Sequence, residues 1–385
     1  MIPDVSRRHA THLLILCSCL SVATPIAAHD MERTRVSLTF QSDGSFALDL
    51  ANDPEWLLLR LEPFLADYPD IPKRPNPDRL DPAERDDRLA VLAPVMRDRV
   101  VLFVDGREIQ PPTVTYAAPA TATEPDGTPT PGHYRMHGRV PPDARMLRWF
   151  YGIVADPYPL TIARADGQIY TEWIGGTVWS RPIDLTGQFT PPTRLEVIAQ
   201  YLGLGYTHIL PKGLDHILFV IGLFLLSARV KPVLMQVTAF TVAHSITLGL
   251  SIYGVLALPP TIVEPLIALS IAYVAIENLL TRELHAGRVL VVFLFGLLHG
   301  LGFAGVLREL GLPRSEFLTA LLSFNVGVEF GQLTVIAIAA LILWPAMRRA
   351  WYRPRVAAPL SVCIALIGVY WTVVRVFARW NLHDL

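Results

Sequence analysis

Six apolar runs follow one another in the second half of the chain, at about 209–228, 233–256, 261–281, 288–307, 317–344 and 356–378. Each is near or above the roughly 20 residues that a helix needs to cross a bilayer. A chain with this pattern must place much of its second half in lipid, because only helices or closed barrels satisfy the backbone there. Composition agrees. Of 385 residues, 52% are hydrophobic and only 17% are charged, where soluble domains carry about 25%. No basic stripe or recognition motif points to nucleic acid, so a nucleic-acid binder is excluded.

The loops between the runs give an orientation. Arg229 and Lys231 follow the first run, Arg282 and Arg288 the third, and Arg348, Arg349, Arg353 and Arg355 the fifth. The other side carries Arg308, Arg314 and Arg379. Cytoplasmic loops are enriched in Lys and Arg. The first set therefore faces inward, and the segment before the runs lies outside together with the C-terminus.

The N-terminus fits that arrangement. Arg7 and Arg8 precede the apolar stretch Leu13 to Ala23, and Ala28 is a small residue suited to cleavage, so residues 1–28 read as a secretory signal. The cysteines are Cys17, Cys19 and Cys363. Two lie in the signal and one in an apolar run, which leaves no disulfide and no thiolate metal site for an exported domain.

Residues 29–195 read as an extracytoplasmic, β-rich domain of β-sandwich type. Alternating apolar and polar residues flank Asp43-Gly44, Asp105-Gly106 and Asp166-Gly167, three hairpin signals. Asp81 to Arg99 reads as one helix, with Asp81 capping it and Pro82 at its first position. Pro119 to Gly132 reads as a loop. The whole is a mixed fold: an exported sheet domain, then an all-α six-helix transmembrane bundle over 196–385.

Polar and ionisable residues interrupt the apolar runs where they are expensive. The first run carries Asp215 and His216, with His208 just before it. The second carries His244, the third Glu264 and Glu277-Asn278, the fourth His299, and the fifth Asn325, Glu329 and Gln332. Asn325, Glu329 and Gln332 are four and then three residues apart, so they share one helix face. Thr241, His244 and Ser251 also lie near one face. His299 sits among Gly296, Gly300 and Gly302, small residues that let helices approach closely. A kink at Pro211 would let one face present His208, Asp215 and, less directly, His216.

Each group has a simpler reading. His244 or His299 alone suits a helix-to-helix hydrogen bond. Glu277 suits a pair with Arg282 or Arg288 at the inner rim. Glu264 suits the interface, Asn325 and Gln332 suit interhelical bonds, and Arg375 suits snorkelling outward. As a set, imidazoles and carboxylates from five runs exceed what packing requires. They suit a borderline divalent cation such as nickel, cobalt or zinc. The candidate ligands are His208, Asp215, His216, His244, His299, Glu329, Glu277 and Asn325.

The segments "HILPKGLDHILFVIGLFLL", "FTVAHSITL", "SIAYVAIENLL", "FGLLHGLGFAGVL" and "FNVGVEFGQL" cover most of 205–335 in one order. In these the chain resembles the HupE/UreJ family of bacterial membrane proteins, in its branch with an exported N-terminal domain. The resemblance implies an inner-membrane permease for nickel or a related metal, linked to hydrogenase or urease maturation. It implies that His208, Asp215 and His216 are the metal-handling residues.

Three functions remain open at this point. In a permease, His208, Asp215 and His216 would capture the ion outside, His244, His299 and Glu329 would pass it on, and Glu277 would lie nearer the exit. In an intramembrane zinc hydrolase, three histidines and the Asp would hold zinc with a position open for water, and Glu329 or Ser245 would assist proton transfer. In a non-catalytic assembly or sensing protein, the β domain would bind a periplasmic ligand or protein.

Overall fold

The computed structural model describes residues 34–72, 80–120, 130–187, 189, 192–226, 230–256, 258–281, 287–309 and 316–377. The expected signal segment, with Cys17 and Cys19, lies outside these residues. So do most of the expected 119–132 loop and Arg229, Arg282, Arg314 and Arg379. The chain divides into two compact units, one over Asp30–Thr193 and one that includes Arg194–Leu385.

The first unit is sheet-rich. Its elements are β1 (Arg35–Phe40), β2 (Ser45–Asn52), α1 (Pro54–Leu61), α2 (Pro82–Val91), α3 (Ala93–Arg97), β3 (Val100–Val104), β4 (Arg107–Ile109), β5 (Thr113–Ala117), β6 (Gly132–Arg139), β7 (Met146–Tyr151), β8 (Pro157–Ala163), β9 (Ile169–Gly175) and β10 (Ile183–Asp184). The three hairpin signals join β1 to β2, β3 to β4 and β8 to β9, each pair antiparallel. Gly44, Gly106 and Gly167 take the positive φ that such turns require. One sheet has the order β5-β6-β2-β1-β8-β9 and the other β10-β7-β3-β4. Their inward residues join one apolar core with the short helices.

The polar tips of the core aromatics are satisfied. Trp149 Nε1 donates to the Tyr158 hydroxyl at 2.8 Å, Tyr151 donates to Asn52 Oδ1 at 3.0 Å, and Tyr134 donates to the Leu89 carbonyl at 2.6 Å. Two features differ from the sequence expectation. β1 pairs with β8 in parallel, which hairpin signals do not foretell. The expected 81–99 helix is two helices broken at Leu92. Pro94 has no N–H to continue the ladder. The capping did follow expectation: Asp81 accepts from Glu84 N at 2.8 Å.

The second unit is helical. It comprises α4 (Arg194–Ile209), α5 (Leu214–Leu226), α6 (Val230–Ile252), α7 (Pro260–Leu280), α8 (Arg288–Glu309), α9 (Phe317–Met347) and α10 (Ala358–Phe377), the last led by a π-helical turn. Among the described residues, four helices are long and apolar enough to cross a membrane: Lys231–Ile252, Pro260–Leu280, Phe317–Met347 and Arg353–Phe377. α4 and α5 form a fifth candidate, bent by 70° between them. The fourth expected run falls on α8, whose described apolar part, Arg288–Gly302, is shorter. Leu, Val and Ile side chains stand exposed along α6, α7, α9 and α10. Apolar exposure on that scale fits contact with lipid.

Candidate metal centre

The site begins at the break between α4 and α5. His208 lies in the last turn of α4 and His216 in the first turn of α5. Pro211 lies in the break, where its missing N–H cannot carry the helix on. Gly213 packs against the His208 carbonyl so closely that any side chain there would collide with it. The chain bends there by 70°, and the two imidazole rings meet edge to face with centroids 4.8 Å apart.

α6 brings His244 to the same place, its ring 6.1 Å from His208 and 6.0 Å from His216. α8 adds His299, 4.8 Å from His216. α6 and α8 come together at Gly300, which lies directly against the His244 carbonyl. The glycine-rich run on α8 is thus what seats His299 beside its neighbours. All four histidines are buried, with at most 5% of their surface exposed.

His208, His216 and His244 each offer a ligand nitrogen, and these atoms lie within 4.8 Å of one another. Nitrogens about 2.0–2.1 Å from one tetrahedral cation stand about 3.3 Å apart. Small side-chain movements would bring the three onto one ion.

Hydrogen bonds fix two of the ring tautomers. Asn325 Nδ2 donates to the Leu321 carbonyl at 2.8 Å, so its Oδ1 is the atom 3.1 Å from His244 Nδ1. His244 therefore carries its proton on Nδ1. Its Nε2 is a buried lone pair with no hydrogen-bond partner among the described residues. Ser270 donates to the Ile267 carbonyl at 2.6 Å, so its oxygen accepts from His299 Nε2 at 3.1 Å. The lone pair of His299 is then on Nδ1. Metal-binding imidazoles are oriented in this way by a partner on the other nitrogen.

Asp215 departs from its expected place. It is fully buried, but its carboxylate meets Arg375 on α10, with Nη1 3.1 Å from Oδ2. The helix turns about 100° between 215 and 216, so when His216 faces His208, Asp215 faces α10. Arg375 in turn does not snorkel outward. A buried carboxylate requires a counter-charge, and Arg375 supplies it.

Of the remaining candidates, Asn325 touches the site through His244, and Glu329 and Glu277 lie elsewhere. Asn325, Glu329 and Gln332 do share a face, directed at α6. There Thr238 donates to Glu329 Oε1 at 2.8 Å, and Thr241 donates to Gln332 Oε1 at 3.0 Å. Thr238 also lines a cleft of about 580 Å³ with Lys231, Leu234 and Met235. Ser245 donates back to the Thr241 carbonyl within its own helix. Glu277 pairs with Arg288 at 3.2 Å, one of the two partners its sequence position allowed. Arg288 also donates to Gln236 and Asn278.

Sequence reasoning missed the walls of the site. Phe219, Phe240 and Phe324 pack on the imidazoles, with His299–Phe240 at 5.0 Å, His299–Phe219 at 5.3 Å and His208–Phe324 at 5.7 Å. A signal was present. Phe219 follows His216 by one helical turn, and Phe240 precedes His244 by one. Ser270 gave no such signal, because its partner lies on another helix.

Residues 187–375 match the family described as HupE / UreJ protein. Through this region the chain belongs to the HupE/UreJ family. The match takes in every helix that contributes an imidazole, and it ends at Arg375. No curated protein and no solved structure matches the chain. Family and apolar helices together make this a membrane protein of a metal-related family.

Proposed function

We propose that this HupE/UreJ protein is a permease for a divalent transition-metal cation, with nickel or cobalt as the preferred cargo. One observation carries the reading: three buried imidazoles from three helices offer ligand atoms within 4.8 Å of one another. Neutral imidazole binds borderline cations and leaves calcium and magnesium to oxygen sites. His299 stands beside His216 as a fourth nitrogen donor. Asp215 is the nearest carboxylate in sequence.

In this reading six segments cross the inner membrane. Residues 1–28 are removed, and residues 29–195 and the C-terminus lie outside. Lys and Arg in the 227–231, 282–288 and 348–355 segments support that orientation. The imidazoles then lie toward the outer side, at the start of α5 and the ends of α6 and α8. The cation enters there, and the role of the exported domain is to deliver it or to bind a periplasmic partner. Inward of the imidazoles, Thr241 with Gln332 and Thr238 with Glu329 offer oxygen ligands along the α6–α9 contact. Conduction favours several sites of moderate affinity over one tight cage.

Uptake of radioactive nickel or cobalt by whole cells tests this. His216→Ala and His244→Ala should each lower the initial rate at least about tenfold at equal membrane abundance, since either removes one of three ligands. Unchanged uptake in both would overturn the reading. Purified protein that keeps one zinc through dialysis, with no uptake, would point to the zinc-hydrolase alternative.

A further inference from the structure

Asp215 and Arg375 form an ion pair that the imidazole group does not account for. Asp215 is fully buried in the first turn of α5, next to His216 in the chain. Arg375 lies in the last turn of α10. Its Nη1 is 3.1 Å from Oδ2 and its Nη2 is 3.5 Å from Oδ1. Nη1 also donates to the Glu264 carbonyl at 3.1 Å, and the guanidinium lies 5.4 Å from the Trp371 ring. The arginine is thus held on three sides.

A guanidinium does not give up its proton in proteins. Imidazoles in their ligand form are neutral, so Asp215 and Arg375 leave no net charge between them beside the histidines before cargo arrives. A divalent cation at the histidines would lie in the field of both partners, since Asp215 adjoins His216 in the chain. The carboxylate attracts it and the guanidinium repels it, in surroundings that screen charge poorly. Full attraction without repulsion would make the cation slow to leave.

We propose that Arg375 is a built-in counter-cation. It holds Asp215 while the site lacks cargo, and its charge keeps divalent affinity low enough for release. It is a positioning and affinity-setting residue, not a ligand. The proposal rests on the permease reading.

Nickel chloride binding to the full chain in detergent tests it, by equilibrium dialysis and by release into a chelator followed by stopped flow. Four proteins are compared: wild type, Arg375→Gln, Asp215→Asn and the double variant. Arg375→Gln should bind at least about tenfold tighter than wild type and release more slowly. Asp215→Asn, which leaves the guanidinium unopposed, should bind at least about tenfold more weakly. The double variant should return close to wild type. These directions follow from the sign of the charge left behind.

Should Arg375→Gln fail to fold, the comparison of Asp215→Asn with the double variant decides. These two differ only at residue 375, and neither buries a lone carboxylate. Equal affinities in that comparison would overturn the proposal, as would Arg375→Gln binding no tighter than wild type. Wild type that binds no divalent cation would overturn the permease reading, and this inference with it.

Discussion

His244 depends on a single amide for its orientation. Asn325 accepts its Nδ1 proton and is itself tied to the Leu321 carbonyl, so the Nε2 lone pair points away from α9. Asn325→Leu removes the acceptor and keeps the bulk. Outer partners of ligating histidines are worth about 10–100-fold in metal affinity. The variant should lose nickel affinity within that range and keep wild-type expression, as dialysis of purified protein will measure. Unchanged affinity would mean that His244 is not a ligand. The histidines themselves were legible in the sequence because imidazoles in apolar runs stand out. The orientation of Asp215 was not. Its partner lies 160 residues away, and no local pattern links the two. Arg375 at the end of an apolar run looks the same in sequence whether it reaches outward or inward.

Among the helices, close contact is set by glycine, and two glycines should behave oppositely. A Cβ at Gly300 would run into the His244 carbonyl and the Thr247 hydroxyl, whereas one at Gly203 meets nothing within 4 Å. Gly300→Ala should push α8 off α6, destabilise by about 1–3 kcal/mol and weaken cation binding. Gly203→Ala should be neutral, or stabilising by up to about 1 kcal/mol. Thermal melts of the two variants will separate them; equal melting temperatures would contradict the packing described. The α6–α8 contact was legible from the glycine run around His299. The 70° bend was only half legible. Pro211 marked the break, but α4 begins at Arg194, well before the apolar run, because Glu196 and Gln200 dilute its hydropathy without stopping the helix.

The sheets make a separate prediction. Burial pushes the phenols of Tyr116, Tyr134 and Tyr158 well above their ordinary value of 10.0, and burial with the hydrogen bond to Asp98 pushes Tyr68 up to about 12. The fold keeps the protonated form. Its contribution is full below about pH 10, where unfolded tyrosine begins to ionise, and is lost as pH rises through the raised folded values. Tyrosinate absorbance and loss of sheet circular dichroism should therefore rise together above pH 10. Ionisation of these tyrosines with the sheets intact would contradict their burial.

On the scale of the whole molecule, the architecture divides the tasks. A sheet domain with its own aromatic core needs nothing from the helices to bury its apolar residues. The helical part holds every histidine of the site. The division was legible because alternating strands give way to long apolar runs near residue 200. The pairing of β1 with β8 was not, since long-range strand pairing leaves no local mark. What unites the helical part is the convergence of imidazoles from α4, α5, α6 and α8. X-ray absorption at the nickel edge of purified, loaded protein examines that convergence directly. The account predicts one nickel per chain with at least three imidazole nitrogens at about 2.1 Å, lost when His208, His216 and His244 are replaced together by alanine. Nickel bound only through oxygen, or bound equally by the triple variant, would contradict it.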